Sequence, residues 1–255
     1  MAYSYAITLL ILCPMVFLAG FVDSIAGGGG LISLPAYVFA GIPIHAAYGT
    51  NKFSMCFGTG VSVVNYFRAR SIHYRAALAG VLGALPGSWL GTRLAISLSP
   101  QVLQICLAVI LPLVAVFMFF RRGSMEGEGE ELPHLQTFGL SFLIGLVIGA
   151  YDGFFGPGTG MFITLALAGL VHLNLVLAAG TTRVINFSSN LASMLTWLIN
   201  GSVLFSLALP CMVSAIAGNF IGSKLAIKIG AKFIKPVILI VAALLFIRVI
   251  SDLLH

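Results

Sequence analysis

Long stretches of this chain contain almost no charged residue, which limits the chain to folds with apolar surroundings. A helix needs about 20 apolar residues to cross a bilayer. Hydrophobic residues make up 60% of the chain and charged residues 8%, whereas a soluble domain carries about 25% charged residues. We predict an all-α polytopic membrane protein. The apolar runs lie at about 5–26, 31–44, 53–67, 76–98, 101–120, 138–155, 161–178, 184–199, 203–223 and 233–251.

The sequence also repeats itself. Asp23-Ser-Ile-Ala-Gly27 aligns with Asp152-Gly-Phe-Phe-Gly156, and GTNK at 49–52 aligns with GTTR at 180–183. After a two-residue insertion in the second glycine loop, the offset between the halves stays at 131. We predict a first membrane repeat over 1–120, a polar linker over 121–137 and a second membrane repeat over 138–255, with about five helical segments in each repeat.

Basic residues sit in loops that are not equivalent in the two halves. Arginines cluster at 68–75, whereas the counterpart at 200–202 is uncharged. Lysines cluster at 224–235, whereas the first half has only Arg93 before Pro100. Positive loops mark the cytoplasmic side, so the pattern predicts inverted repeats in a bacterial or archaeal inner membrane, with a cytoplasmic linker and both termini outside. Whether the short second segment of each half spans the membrane or re-enters it stays open.

Several function classes lack support in the sequence. The net charge of +6 follows from short basic loops between apolar runs, so we expect no nucleic acid partner. The four cysteines and five histidines have no metal-ligand spacing, so we expect neither a metal nor a cofactor. The first apolar run lacks a charged segment before it and is interpreted as a retained helix. The bilayer is the expected surrounding, and a homo-oligomer stays open.

Each half carries a glycine loop between an apolar helix and a short apolar segment. The loops are GGGG at 27–30 and GPGTG at 156–160, and each begins four residues after an aspartate. Tight helix packing is one explanation. A broken helix is the other, because unwound backbone at membrane depth is tolerated where it lines a cavity, and a helix N-terminus attracts anions.

Two ionisable pairs lie within or beside the apolar runs. Asp23 and Asp152 either stabilise the glycine loops through hydrogen bonds or carry protons. Lys52 and Arg183 are placed at the start of the third run of each half, where a cation opposes the helix dipole. They either reach to the membrane interface or bind an anion.

An anion bound between the two glycine loops would meet donors from both halves. Asn186, Ser188, Ser189 and Asn190 are weaker candidates, which either line the path or bond between helices. The predicted substrate-binding residues are Gly27, Gly28, Gly29, Gly30, Thr50, Asn51, Lys52, Gly156, Gly158, Thr159, Gly160, Thr181, Thr182 and Arg183.

The motifs GFVDSIAGGGGLISLP at 20–35, GTNK at 49–52 and GAYDGFFGPGTG at 149–160 resemble the TauE/SafE sulfite exporter family. The resemblance covers both halves. It implies a membrane permease for sulfite, sulfonates or related organic anions that works as a secondary transporter without ATP. Pro157 and Thr159 depart from a plain glycine run, which leaves the particular anion open.

These observations predict a secondary transporter that moves a small anion by alternating access, with proton coupling left open. An anion channel is the nearest alternative. A membrane-embedded enzyme would need a nucleophile–base pair or a metal cluster, and the sequence offers neither. An assembly subunit would not need paired polar residues inside the membrane. The direction of transport is not determined by the sequence.

Overall fold

The computed structural model describes residues 4–120 and 132–230, and within these ranges every regular element is an α-helix. The linker residues 121–131 and the predicted last segment at 233–251 lie outside the described residues. The helices are α1 (Tyr5–Ala26), α2 (Gly30–Phe39), α3 (Ile44–Arg68), α4 (Tyr74–Ser97), α5 (Pro100–Phe120), α6 (His134–Phe154), α7 (Thr159–Leu170), α8 (Leu175–Ile199) and α9 (Phe205–Ile229).

Helix length and composition fit a bilayer. Among the described residues, three stretches are long and apolar enough to cross it: Tyr5–Ile25, His134–Phe154 and Phe205–Ile229. The chain exposes large apolar side chains that lipid would cover, for example Leu10 and Val147. By contrast, α2 has 10 residues and α7 has 12. At 1.5 Å per residue each covers roughly half of a hydrocarbon core of about 30 Å, as the short second run of each half predicts.

The third helix of each half begins earlier than the sequence predicts. We place Lys52 and Arg183 at helix starts, but α3 begins at Ile44 and α8 at Leu175. That placement is wrong. The polar residues of GTNK and GTTR interrupt the apolar run without interrupting the helix, because their side chains are buried against neighbouring helices rather than exposed to lipid.

Small residues let the helices approach closely. On α4, Gly87 lies against the backbone of Leu146 and Gly91 against that of Ala150, so α4 and α6 run parallel in contact. The same packing joins α9 to α1, where Gly218 takes the place of Gly87. A methyl group at any of these glycines would overlap backbone atoms of the partner helix, as is typical of glycine-mediated packing in membranes.

Helices α3 and α8 form the centre of the molecule and run in opposite directions. Lys52 contacts Asn190, whereas the ring of His45, earlier on α3, packs at a tilt against the ring of Trp197, later on α8. These helices occupy equivalent positions in the two sequence repeats. Each also packs on the fourth helix of the other half, α3 on α9 and α8 on α4.

Candidate functional site

The two glycine loops meet at the centre. Helix α1 ends at Ala26, and Gly27 then takes a left-handed conformation with a φ of 80°. Its Cα lies against the Gly160 backbone, so that a side chain on either residue would collide with the other loop. Gly30 lies in the same way against Pro157. The positive φ and the close approach together explain why glycine occupies position 27.

The second glycine loop follows α6 as the first glycine loop follows α1. The chain leaves α6 at Phe154, and Gly156 and Gly158 both have positive φ values, of 91° and 84°. Helix α7 then begins at Thr159. The Tyr151 hydroxyl donates a hydrogen bond of 2.6 Å to the Pro157 carbonyl and so fixes the loop.

Lys52 and Asp152 form a buried ion pair between the halves. The Lys52 ammonium lies 2.7 Å from Asp152 Oδ2 and donates a second hydrogen bond of 3.0 Å to Asn190 Oδ1. The Ser189 hydroxyl donates to the same carboxylate oxygen at 2.5 Å. Since an ammonium has three N–H groups, these two bonds, within the described part of the chain, leave one donor of Lys52 for another acceptor.

Arg183 and Asp23 form the second pair. Arg183 Nη1 lies 3.2 Å from Asp23 Oδ2 and also donates to the Asp23 backbone carbonyl. That carbonyl belongs to the last turn of α1, so the guanidinium neutralises the negative end of the helix dipole there. Arg183 is fully buried, and its Nε and Nη2 have no hydrogen-bond partner among the described residues.

A small cavity lies between the loops and the central helices. Its volume is about 30 Å³, which is enough for one or two water molecules. The predicted site residues that line it are Asp23, Gly27, Gly30, Asn51, Lys52, Asp152, Gly156, Thr159 and Gly160.

Other predicted site residues lie away from the cavity wall. Thr50 Oγ1 accepts a hydrogen bond from the Leu204 N–H, and Thr181 Oγ1 accepts one from the His73 N–H. Thr182 shares a hydrogen bond with Thr164. Those three hydroxyls join helices and loops in the structure. Gly28, Gly29, Gly158 and Arg183 are also absent from the lining.

The cavity wall contains residues that sequence reasoning did not assign to the site. Asn186 and Asn190 are placed only among the weaker candidates, yet both line the cavity from α8. Tyr48 and Phe155 add aromatic faces. Spacing was the signal that could have identified three of these residues. Asn186 and Asn190 are four residues apart on one helix, and Tyr48 is four residues before Lys52.

Apolar helices around a buried, charged cavity define a helical membrane protein with a polar internal site. The family model described as Sulfite exporter TauE/SafE matches residues 12–249. The chain is a membrane transporter and belongs to the TauE/SafE sulfite exporter family.

Relatives support this assignment along nearly the whole chain. The probable membrane transporter protein ORF9 of Sinorhizobium sp is 36% identical over 94% of this chain and 91% of its own length. A probable membrane transporter protein of Haemophilus influenzae is 35% identical, covering 96% and 95%. The probable membrane transporter protein YfcA of Escherichia coli K12 is 32% identical, covering 92% and 87%. No solved structure matches this chain.

Proposed function

We propose that this protein is a secondary permease that carries a small anion across the bacterial or archaeal inner membrane by alternating access. One observation carries the proposal. The Lys52 ammonium lies in a cavity between two broken helices, with one N–H group left to bind a further acceptor. A cation within a membrane segment is costly, by about 2.5–3.5 kcal/mol on insertion scales, and such residues mark substrate and ion pathways.

Inverted repeats are part of this proposal. The antiparallel packing of α3 and α8 supports them, because these helices carry equivalent sequence motifs. The crossed ion pairs support them as well, since the aspartate of each half binds the cation of the other. The loop charges then favour a multi-pass chain with its linker in the cytoplasm.

Alternating access agrees with the tight centre. Packed glycine loops and a cavity of about 30 Å³ leave room for water but not for an oxyanion. Entry of an oxyanion would require the loops or the central helices to separate on one side at a time. Two repeats of opposite orientation can supply two such conformations, one open to each side of the membrane.

The proposed substrate is sulfite, a sulfonate or a related organic anion. The family's description as a sulfite exporter supports this choice. Three asparagine side chains line the cavity beside Lys52, namely Asn51, Asn186 and Asn190, whereas the Thr159 hydroxyl donates to the Gly156 carbonyl. Amide donors around one cation suit an oxyanion.

Flux measurements in proteoliposomes test the proposal. Purified protein should catalyse saturable uptake of sulfite or methanesulfonate, and Lys52→Met should reduce the uptake at least tenfold. Arg93→Met is the matched control, because Arg93 is an exposed cation outside the central cavity, and it should keep normal uptake. Equal uptake by Lys52→Met and the unaltered protein would exclude the proposed site, and flux that does not saturate would favour a channel.

A further inference from the structure

The two central ion pairs have different surroundings. Lys52 and Asp152 both line the cavity. In the other pair Asp23 reaches the cavity, but Arg183 does not and is fully buried behind Gly160. A methyl group at Gly160 would lie 2.7 Å from Arg183 Nη2, which shows how closely that backbone covers the guanidinium.

Polar neighbours distinguish the pairs further. Ser189 and Asn190 contact the Lys52–Asp152 pair from α8. At an offset of 131, the equivalent residues on α3 are Gly58 and Thr59. Gly58 has no side chain, and the Thr59 hydroxyl donates to the Met55 carbonyl of its own helix. Hydrogen-bonding groups that can replace a lost partner are therefore concentrated around Lys52.

We propose that a monovalent anion and one proton bind together at Lys52 and Asp152. The anion takes the place of the Asp152 carboxylate on the Lys52 ammonium, and the proton, taken from water on the open side, binds an Asp152 carboxylate oxygen. Lys52 remains an ammonium throughout. The inference rests on the proposed function and assigns the coupling to one aspartate.

Charge balance favours this exchange. The buried charges at the centre are Lys52, Arg183, Asp23 and Asp152, and they sum to zero. A bound monovalent anion alone would leave one uncompensated negative charge in a medium of low polarity, which is strongly unfavourable. A proton on Asp152 restores neutrality.

Other titratable groups face Asp152 from the helices packed around it. Lys52, Cys56 and Tyr48 lie on α3, Tyr151 lies beside Asp152 on α6, and Asp23 comes from α1 with Arg183 as its partner. The cysteine and the tyrosines are weak acids that carry no charge in water at neutral pH. The remaining charged neighbours, Asp23 and Arg183, already neutralise each other through their own contact.

Two consequences follow for transport. Because the Asp152 carboxylate and the anion compete for Lys52, the proton and the anion move in the same direction, as a symport without net charge movement. A divalent anion such as sulfate would leave one negative charge after a single protonation, so the site should prefer a monovalent sulfonate.

Calorimetric binding of methanesulfonate to the purified full chain tests the inference, since this anion stays ionised between pH 5 and 8. The affinity should fall by up to about tenfold per pH unit as pH rises, the limit for one linked proton. Asp152→Asn should remove this dependence. Arg93→Met is the matched control, because Arg93 is exposed and lies outside the cavity, and it should keep this dependence. In weak buffer, the unaltered protein should take up about one proton per bound anion.

Flux in proteoliposomes gives a second measurement that does not depend on a variant. Methanesulfonate entry should acidify the lumen, and clamping the membrane potential with valinomycin and potassium should leave the rate unchanged. Saturable flux without acidification, or a pH dependence that Asp152→Asn keeps, would overturn this inference and leave the permease intact. An unaltered protein that neither binds nor carries any of the anions tested would instead overturn the proposed function.

Discussion

The helix-packing contacts at the periphery of the molecule are nearly identical in the two halves, whereas the residues around the central cavity are not. Gly87 meets Leu146 as Gly218 meets Phe17, and these are equivalent positions of the two repeats. At the centre, Asn190 contacts Lys52, but its equivalent, Thr59, bonds to its own helix instead.

Hydrogen bonds that join helices to loops follow the peripheral symmetry. Thr50 accepts from the Leu204 N–H, and Thr181 accepts from the His73 N–H, again at an offset of 131 on both sides. Gly49 lies against the Ser202 carbonyl as Gly180 lies against that of Ser71. We therefore expect substitutions that fill or unpair these contacts to have the same cost in each half.

The aromatic residues make the centre still less symmetric. Trp197 stacks on Tyr48 and lies close to His45, on the side of the cavity where α3 begins. At the offset of 131, Tyr48 corresponds to Ala179 and His45 corresponds to Val176. Symmetry is thus retained where it maintains the packing and is lost where a substrate would lie, so paired substitutions should have equal effects at the periphery and unequal effects at the centre.

The largest expected difference is in the loss of stability when each of the two central cations is replaced. Arg183→Met leaves the Asp23 carboxylate buried without a cation, which should cost about 3–5 kcal/mol. Lys52→Met should cost less, about 1–3 kcal/mol, because Asp152 keeps the Ser189 hydroxyl and because Lys52 lines the cavity, whereas Arg183 is fully buried away from it. Thermal unfolding of the protein in detergent measures both. A lower melting temperature for Lys52→Met than for Arg183→Met would contradict the distinction between the pairs.

Filling the peripheral glycines should destabilise both halves equally. Gly87→Ala and Gly218→Ala each force a methyl group into the backbone of a parallel helix, at a cost of about 1–3 kcal/mol. The measurement is the same melting experiment, with both variants at equal detergent concentration. A clear difference between the two would show that the periphery is less symmetric than its contacts indicate.

Removing the threonine hydroxyls should have a smaller effect. Thr50→Val and Thr181→Val each remove the acceptor of one loop N–H, and we expect a loss of about 1 kcal/mol from each. Saturable anion uptake should persist in both variants, since neither residue lines the cavity. If uptake fails in a folded Thr181→Val protein, the sequence-based assignment of Thr181 to the substrate site is preferred.

The smallest expected effect is a gain in stability. Gly139 on α6 and Gly169 on α7 have open space around the position of a side chain. Alanine at either position should stabilise the protein by about 0.4–1 kcal/mol, because it restricts the unfolded chain. These variants are the controls for Gly87→Ala and Gly218→Ala, and a loss of stability from them would mean that helical glycine matters here for reasons other than contact.

Much of the fold followed from local pattern. The boundaries of α1, at Tyr5 and Ala26, match the predicted run at 5–26, because the run is mostly apolar and is followed by glycine. The start of α3 was misplaced, because periodic hydrophobicity does not distinguish a polar segment in a loop from one buried within a helix.

The candidate site was partly accessible to the same reasoning. Duplicated aspartates, cations and glycine loops pointed to the centre, and the structure brings these groups together there. Tyr48 was missed because the predicted third run begins at 53, so its four-residue spacing from Lys52 was not recognised as helical. Arg183 was assigned to the substrate site on its charge, although in the structure the Gly160 backbone lies between it and the cavity.

The amino-acid sequence by itself determined the apolar helices, the duplication and the positions where the helices break, because these depend on composition and short-range spacing. Only the tertiary structure decided which cation meets which aspartate. Lys52 and Asp152 are 100 residues apart, and Asp23 and Arg183 are 160 apart. Their pairing depends on how α3 is placed against α6 and α1 against α8, and such distances between helices are not encoded in local periodicity.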